Sequence, residues 1–496
     1  MDKLYIFAIG GTGARVMRSL TMLMAAGELV DYEVVPILVD FDVDNGDLVQ
    51  TLRLMHMYKE IHDKSYDIGS STHNEGFFCS PLTPIMRFVP NNAVGNNSFA
   101  IDMHIHHDMR VRDLLGYQNL IGDEYKFKLL LDSLFTTDIE GELNQDLCVG
   151  FKGNAKIARL GYAALKMQDT IEFRTFLNIV DPNRDKVVVV GSTFGGTGSV
   201  GVLEILRQLR YNHHSPINNI ATVLVEPYFL PTHERGAVDS HSVFIKHSKE
   251  FSKFYSDSGL ADFVKTTYKI GMDGFVIYES AIGGQMQRNI AHSVELLSAM
   301  AICEYVQTGQ QGLFEYILGQ NNLQFGHDII EEIDFYQFPD GMRVYELLTR
   351  FILSAKFYKE HFCGNTRITN SYFYREMQQR NVIGRPFKET LDRMFTESFH
   401  WIEELSNGIN NRYSLGLFDV NVPMDEIVIG HPYSQNRGSF LTRLFRRDIV
   451  YDYIDSMNAY YHSKKNETWF NRLSSEQVFV QLLSESSRNI FQKLKN

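Results

Sequence analysis

Two glycine-bearing turns define the chemistry open to this chain. The first, Ile9-Gly10-Gly11-Thr12-Gly13-Ala14-Arg15, follows an apolar run and opens an amphipathic stretch. A strand that passes into a helix through glycines leaves backbone N–H groups bare at the positive end of the helix dipole, where a phosphate can sit. The pattern approaches a dinucleotide fingerprint without completing it. Counted from Gly11 the last glycine is Val16, and counted from Gly10 the third position is Thr12. The second turn, Val190-Gly191-Ser192-Thr193-Phe194-Gly195-Gly196-Thr197-Gly198-Ser199, again lies between a β-type run and an amphipathic segment. A dinucleotide fold uses one such turn, whereas a nucleotide gripped from two sides calls for two helix starts converging on its phosphates. Gly10, Gly11, Thr12 and Gly13 with Gly195, Gly196, Thr197, Gly198 and Ser199 are therefore the candidate phosphate cradle, the glycines giving close approach and the hydroxyls extra donors.

Acids follow the second apolar run at Asp40 and Asp42. Oxygen ligands at a strand end beside a phosphate site suit Mg²⁺, and solvated loop acids are the competing reading. An EF-hand register fails here, because Gly46 falls at position seven and Thr51 at position twelve. Asp40 also stands where a dinucleotide fold carries its ribose-binding acid, 27 residues after Gly13.

The elements that must hold these residues alternate. Apolar runs at Leu4–Ile9, Val34–Val39, Val187–Val190 and Ala221–Val225 read as strands, and Arg15–Ala26 and Val200–Leu209 read as helices between them. That alternation predicts an α/β fold, a parallel sheet covered on both faces. The stretch from about 45 to 146 loses the pattern and reads as an insertion. From Asn289 an apolar stripe through Ile290, Val294, Leu297, Ala301 and Tyr305 predicts a long helix to about 308. Beyond it Tyr345–His361, Phe387–Leu405, Arg447–Tyr461 and Ser475–Leu494 look helical, so a boundary is expected near 310, with a mainly helical domain over 311–496.

Composition sets the outer bounds. The 496 residues are 44% hydrophobic and 22% charged with a net charge of −12, which is globular and weighs against nucleic acid as a partner. No apolar run reaches the ~18 residues of a membrane span, the first residues do not read as a signal peptide, and Cys79, Cys148, Cys303 and Cys363 show no CxxC spacing. A cytoplasmic protein is the expectation.

The turn Phe194-Gly195-Gly196-Thr197-Gly198-Ser199-Val200 resembles the GGGTG[ST]G signature of the tubulin and FtsZ family of GTPases, with Phe194 and Val200 replacing its outer glycines. The resemblance runs on in the family's order. Gly10 to Gly13 looks like the first nucleotide loop and Val39-Asp40-Phe41-Asp42 like the second, near the metal. Gly150-Phe151-Lys152-Gly153-Asn154-Ala155-Lys156 looks like the third, placing Gly153, Asn154 and Ala155 at the γ-phosphate. Glu226-Pro227-Tyr228 looks like the ribose loop, and Asn289 like the base-contacting residue of the central helix. The insertion and the helical second half suggest a remote bacterial branch.

The resemblance implies a Rossmann-like nucleotide-binding domain over 1–310 built around that central helix, GTP or GDP with Mg²⁺, and head-to-tail self-association into cytoskeletal filaments. It also implies an acid delivered from the next subunit, in an NxDxxD motif that this chain lacks. At the expected place Asn322-Leu323-Gln324-Phe325-Gly326-His327 offers Gln324 and His327 instead, so slow or absent GTP hydrolysis is expected. Two other readings stay open: an NAD- or FAD-binding enzyme, and a scaffold that keeps the fold and meets an unidentified protein partner through its helical half.

Overall fold

The computed structural model describes residues 1–42, 45–66, 76–89, 98–105, 108–135, 141–147, 150–151, 153–212, 216–231, 241–272, 276–278, 290–318, 340–362, 366–380, 383–407, 415–424, 426–428 and 449–495. Its centre is a six-stranded parallel sheet formed by β1 (Asp2–Ile9), β2 (Tyr32–Val39), β3 (Lys186–Ser192), β4 (Ile220–Val225), β6 (Thr266–Met272) and β8 (Gly312–Leu318), in the order β2-β1-β3-β4-β6-β8. A separate parallel pair joins β5 (Phe229–Pro231) to β7 (Val276–Tyr278). The α/β class and the parallel sheet expected from the alternation are what the chain forms.

The strands are apolar on consecutive residues because both faces are covered. In β1, Leu4, Ile6 and Ala8 enter one core while Tyr5, Phe7 and Ile9 enter the other. Each fully buried Leu, Ile or Phe side chain contributes roughly 1.5–3 kcal/mol, so this one strand ties the two layers together. Helix α1 (Gly10–Ala26) and α2 (Gly46–Ser65) cover the first face. The second face carries α5 (Ala155–Leu165), α6 (Ile171–Ile179) and α7 (Thr197–Asn212), preceded in the chain by α3 (Val111–Leu114) and α4 (Tyr125–Leu134) and followed by α8 (His241–Asp257) and α9 (Leu260–Phe263).

Three boundaries differ from the sequence reading. The expected insertion starts later than 45: α2 is a sheet-covering helix, its N-cap Asn45 accepting the Asp47 N–H at 2.9 Å, and Leu48, Leu54, Met55, Tyr58 and Ile61 lie in the first core. Further on, 81–83 and 99–101 hydrogen-bond along the open edge of β2, through Thr83 N to Val34 O (2.9 Å) and Ile101 N to Leu38 O (2.9 Å), which shields that edge. The long helix is α10 (Ser293–Thr308), which starts four residues after Asn289 and is buried on nearly every side. It serves as the crossover from β6 to β8, a strand that carries the sheet past 310. The helices after it are α11 (Gly341–Phe357), α12 (Thr366–Thr369), α13 (Tyr372–Arg380), α14 (Arg385–Asn407), α15 (Ile449–Lys464) and α16 (Ser475–Lys495). They form a helical layer that shares the first core with α1, α2 and α10, so no break in packing marks the expected division. No described helix is long and apolar enough to cross a membrane.

Candidate functional site

Chain direction reverses between β1 and β3. From β1 the chain moves outward to β2, and from β3 it moves the other way to β4, while Ala8 and Val190 stand side by side in register. In an open parallel sheet this switch point is where a crevice opens beyond the strand ends. Both glycine turns end there. Helix α1 starts directly at Gly10, whose φ of +68° an L side chain rarely adopts. A Cβ on Gly10 would lie 3.2 Å from Gly198 N and 3.4 Å from Thr197 Cβ, so the starts of α1 and α7 touch. The remaining glycines divide by task. A Cβ on Gly13 would sit 2.7 Å from the Ala8 carbonyl carbon, and one on Gly196 would sit 2.7 Å from Phe151 Cβ; Gly198 abuts Ser192. These three allow close packing, whereas Gly11, Gly195 and Thr197 are the partly exposed members of the two turns.

No side chain caps α1, and its first turn contains no acid. Its leading N–H groups, at the positive end of a 17-residue helix, are thus free for an anion. Of the hydroxyls, Ser199 Oγ donates to Gly195 O at 2.7 Å, while those of Thr12 and Thr197 meet no hydrogen-bond partner among the described residues. Gly153 (φ +77°) has open space around it. Asn154 caps α5, its Oδ1 accepting from Lys156 N (3.0 Å) and Ile157 N (3.3 Å), and its Nδ2 donates to Glu142 at 3.0 Å. This third turn still borders the second, for a Cβ on Gly196 would be 3.5 Å from Asn154 N. Beside them opens a cavity of about 390 Å³ whose lining includes Gly153, Asn154, Ala155, Ser199, Lys156 and Lys246.

Asp40 and Asp42 reach the same end of the sheet. Asp40 is buried, accepts the Asp42 N–H at 3.2 Å, and is pushed up to about 8 by burial and then by the Asp42 charge. A Cβ on Gly150 would lie 3.2 Å from Asp42 Cβ, which brings the third turn onto the acids. Among the described residues no three His, Cys, Asp or Glu side chains converge to hold a metal alone. Mg²⁺ does not need such a set, since it commonly takes one or two carboxylates and completes its shell with phosphates and water. A buried acid opposed by a neighbouring acid is also one that a divalent cation would relieve. The residues present fit a magnesium-bound phosphate.

One assignment packs against a neighbouring strand, and three lie outside the described residues. The Glu226 carboxylate rests against Gly271 of β6, the strand next to β4, with Lys269 offsetting a pKa raised by burial. Asn289, Gln324 and His327 lie outside the described residues. After α10 the chain turns at Gly309 and enters β8 at Gly312.

A buried charge network at this end escaped the sequence reading. Arg15, in the second turn of α1, places Nε 3.0 Å from Glu295 Oε1 of α10 and Nη1 3.9 Å from Asp47 of α2. Its Nη2 donates to Tyr228 Oη, which donates in turn to Glu295 Oε1 at 2.5 Å, and the guanidinium lies 4.9 Å from the Phe229 ring centre. His292 caps α10 by accepting the Val294 N–H at 3.1 Å, and burial followed by the Arg15 charge pushes it down to about 3, so it is neutral. One signal was available: Arg15 and Arg18 stand three apart in a helix whose other neighbours are apolar or small, and such charges need buried partners. The network fixes the starts of α1, α2 and α10 relative to one another around the crevice.

Comparison with known protein families, with curated proteins and with solved structures finds no match for this chain.

Proposed function

We propose that the chain binds a guanine nucleotide, GTP or GDP with Mg²⁺, at the switch point between β1 and β3, and that it is a tubulin-like protein assembling head to tail with slow or absent hydrolysis. The observation that carries this reading is the meeting of two glycine-bearing helix starts, α1 and α7, at the switch point of the described sheet, the position where open parallel sheets take their ligands. The phosphates would be received by the free N–H groups of α1 and by the turn at Gly195 to Thr197, with the Thr12 and Thr197 hydroxyls as added donors. Asp40 and Asp42 would hold Mg²⁺, which would supply positive charge to offset that of the phosphates. The guanine base and the head-to-tail contact rest on the family resemblance of the loops in their order. Slow turnover rests on the missing NxDxxD motif, since loss of a positioned acid or base typically forfeits about 10² to 10⁴ in rate.

A dinucleotide enzyme is the second reading, favoured by one specific observation: Asp40 stands at the end of β2, where such folds hold the ribose. A second glycine turn at α7, however, is more than that ligand uses. Chromatography of nucleotide released from the denatured, purified protein separates the readings as guanine nucleotide, NAD or FAD. The binding site is tested with Gly11→Leu, because Gly11 is partly exposed and its nearest neighbours are the mobile ends of Asn45 and Asp47. Calorimetry should show lost GTP affinity with the fold retained; equal affinity in wild type and variant refutes the site.

A further inference from the structure

The C-terminal end of α1 borders a second cavity, of about 620 Å³, within the range of roughly 300–1,000 Å³ in which small-molecule sites fall. It lies about 25 Å from Gly10, the length of a 17-residue helix at about 1.5 Å per residue, and so is separate from the crevice. Three arginines line it, Arg343 and Arg350 from α11 and Arg488 from α16. Two of them are answered by carboxylates: Arg343 Nε lies 3.3 Å from Glu28 Oε1, and Arg488 Nη1 lies 3.3 Å from Glu485 Oε1.

Arg350 is not. It is only 5% exposed, yet no carboxylate among the described residues stands within ion-pair distance of it. Its Nε donates to Ser487 Oγ at 3.5 Å and its Nη2 to the Ser484 carbonyl at 3.4 Å. Both are long for bonds that cluster near about 2.9–3.0 Å. Its Nη1 meets no hydrogen-bond partner among the described residues. Burial, and then the neighbouring Arg488 charge, pull its pKa below the ordinary arginine value by more than the Glu346 and Glu485 charges restore. A guanidinium withdrawn from water without a counter-charge is costly. Held in that state beside an open cavity, it marks where an anion is received.

The surrounding charges select the anion. One guanidinium is left over, which calls for one negative charge. Asp31 and Glu346 stand on the same walls, so a phosphate dianion would bring surplus negative charge against them. A carboxylate carries a single charge and matches the planar fork with two parallel N–H···O bonds. The other walls are largely apolar, and Val30, Met342 and Leu347 leave room for a hydrocarbon body on the same molecule.

We propose that this cavity binds a small organic monocarboxylate, its carboxylate in the fork of Arg350 with Arg488 beside it, and its apolar body on Val30, Met342 and Leu347. The site is independent of the nucleotide reading.

The test is calorimetry on the nucleotide-free full chain with benzoate, a carboxylate on a compact apolar ring, and with acetate and inorganic phosphate for comparison. Benzoate should bind saturably, acetate more weakly, and phosphate not at all. Arg350→Met should weaken benzoate binding at least about tenfold, through lost hydrogen bonds to a charged group. Arg350→Lys, which keeps the charge without the fork, should weaken it too. Without carboxylate, Arg350→Met should melt no lower than wild type, because it removes an unanswered buried charge. Leu347→Trp leaves Arg350 intact and fills the cavity, so it should block benzoate, whereas Gly11→Leu should bind benzoate as wild type does. Absence of saturable benzoate binding, unchanged affinity in Arg350→Met or Leu347→Trp, tighter binding of phosphate than of benzoate, or loss of benzoate binding in Gly11→Leu overturns the proposal. So does an Arg350→Met that unfolds well below wild type, since the guanidinium is then already satisfied by the protein.

Discussion

Replacing Asp40 by Asn should flatten the dependence of stability on pH. In the folded chain this carboxyl is held at about 8, against 3.8 for an ordinary aspartate, first by burial and then by Asp42. Its folded pKa therefore lies above its unfolded one, and between roughly pH 4 and 8 the folded state holds a proton that the unfolded chain releases. Stability then falls as pH rises through that window and is greatest at its acid end. One proton over two pH units, from about 5.5 to 7.5, amounts to about 2.7 kcal/mol. For a chain of 496 residues, at about 2.1 cal/mol/K per residue, the unfolding entropy is about 1 kcal/mol/K, so the loss is about 2–3 °C in melting temperature. Glu28 and Glu304, each pushed up to about 7 chiefly by burial, add slopes of the same sign. They are common to wild type and variant, so the difference between the two curves isolates Asp40. Differential scanning calorimetry of both proteins across that range is the assay. Parallel curves would refute the buried, proton-holding Asp40, and with it the argument that a cation relieves this acid.

Glu295→Gln leaves Arg15 buried with its nearest carboxylate partner neutralised, and should cost about 3–5 kcal/mol in denaturant unfolding; a double variant with Arg15→Met should cost less than the sum of the singles. His292 has the opposite pH sign to Asp40. Its folded pKa of about 3 lies below 6.5, so stability is lost as pH falls through that window by about 1.4 kcal/mol per unit, and His292→Asn, which keeps a capping side chain, should remove this slope in acid unfolding. Gly196→Ala should destabilise by about 1–3 kcal/mol, because its Cβ would meet Phe151 Cβ at 2.7 Å, while Gly11→Ala should leave the melting temperature within about a degree.

The sheet was legible where strands are buried on both faces. Leu4–Ile9 and Val187–Val190 are continuous apolar runs because alternate residues feed two cores. The outer strands were not read. Thr266–Met272 carries threonines, a lysine and a glycine, and Gly312–Leu318 is an edge with Leu313 and Glu315 exposed, so neither shows an unbroken apolar run. Helix α2 was hidden for a related reason. Its stripe through Leu48, Thr51, Met55, Tyr58 and His62 has helical spacing, but a buried threonine and histidine dilute it. The glycine turns were visible as local patterns, whereas the Arg15 network was not, because its members come from α1, α2, α10 and the β4 exit and only the folded sheet brings them together.

The same helix that opens the crevice also ties it to the helical second half. Below Gly10 to Gly13, α1 carries Arg15 to Glu295 of α10 and Arg18 to Glu404 of α14 at 2.7 Å. Glu404 Oε2 also accepts the Ala291 N–H at 3.0 Å, one residue before the cap of α10, and Trp401 Nε1 donates to Ser19 Oγ at 3.4 Å. If a phosphate binds there as proposed, the start of α1 shifts toward it only by carrying α10 and α14 or by breaking the buried Arg15–Glu295 pair and the part-buried Arg18–Glu404 pair, and breaking a buried pair costs about 3–5 kcal/mol. Interfaces and packed cores of this kind move between discrete arrangements instead of deforming gradually. A helical layer sharing one core with α1 is therefore the part of the molecule mechanically placed to respond if the switch point takes a ligand as proposed.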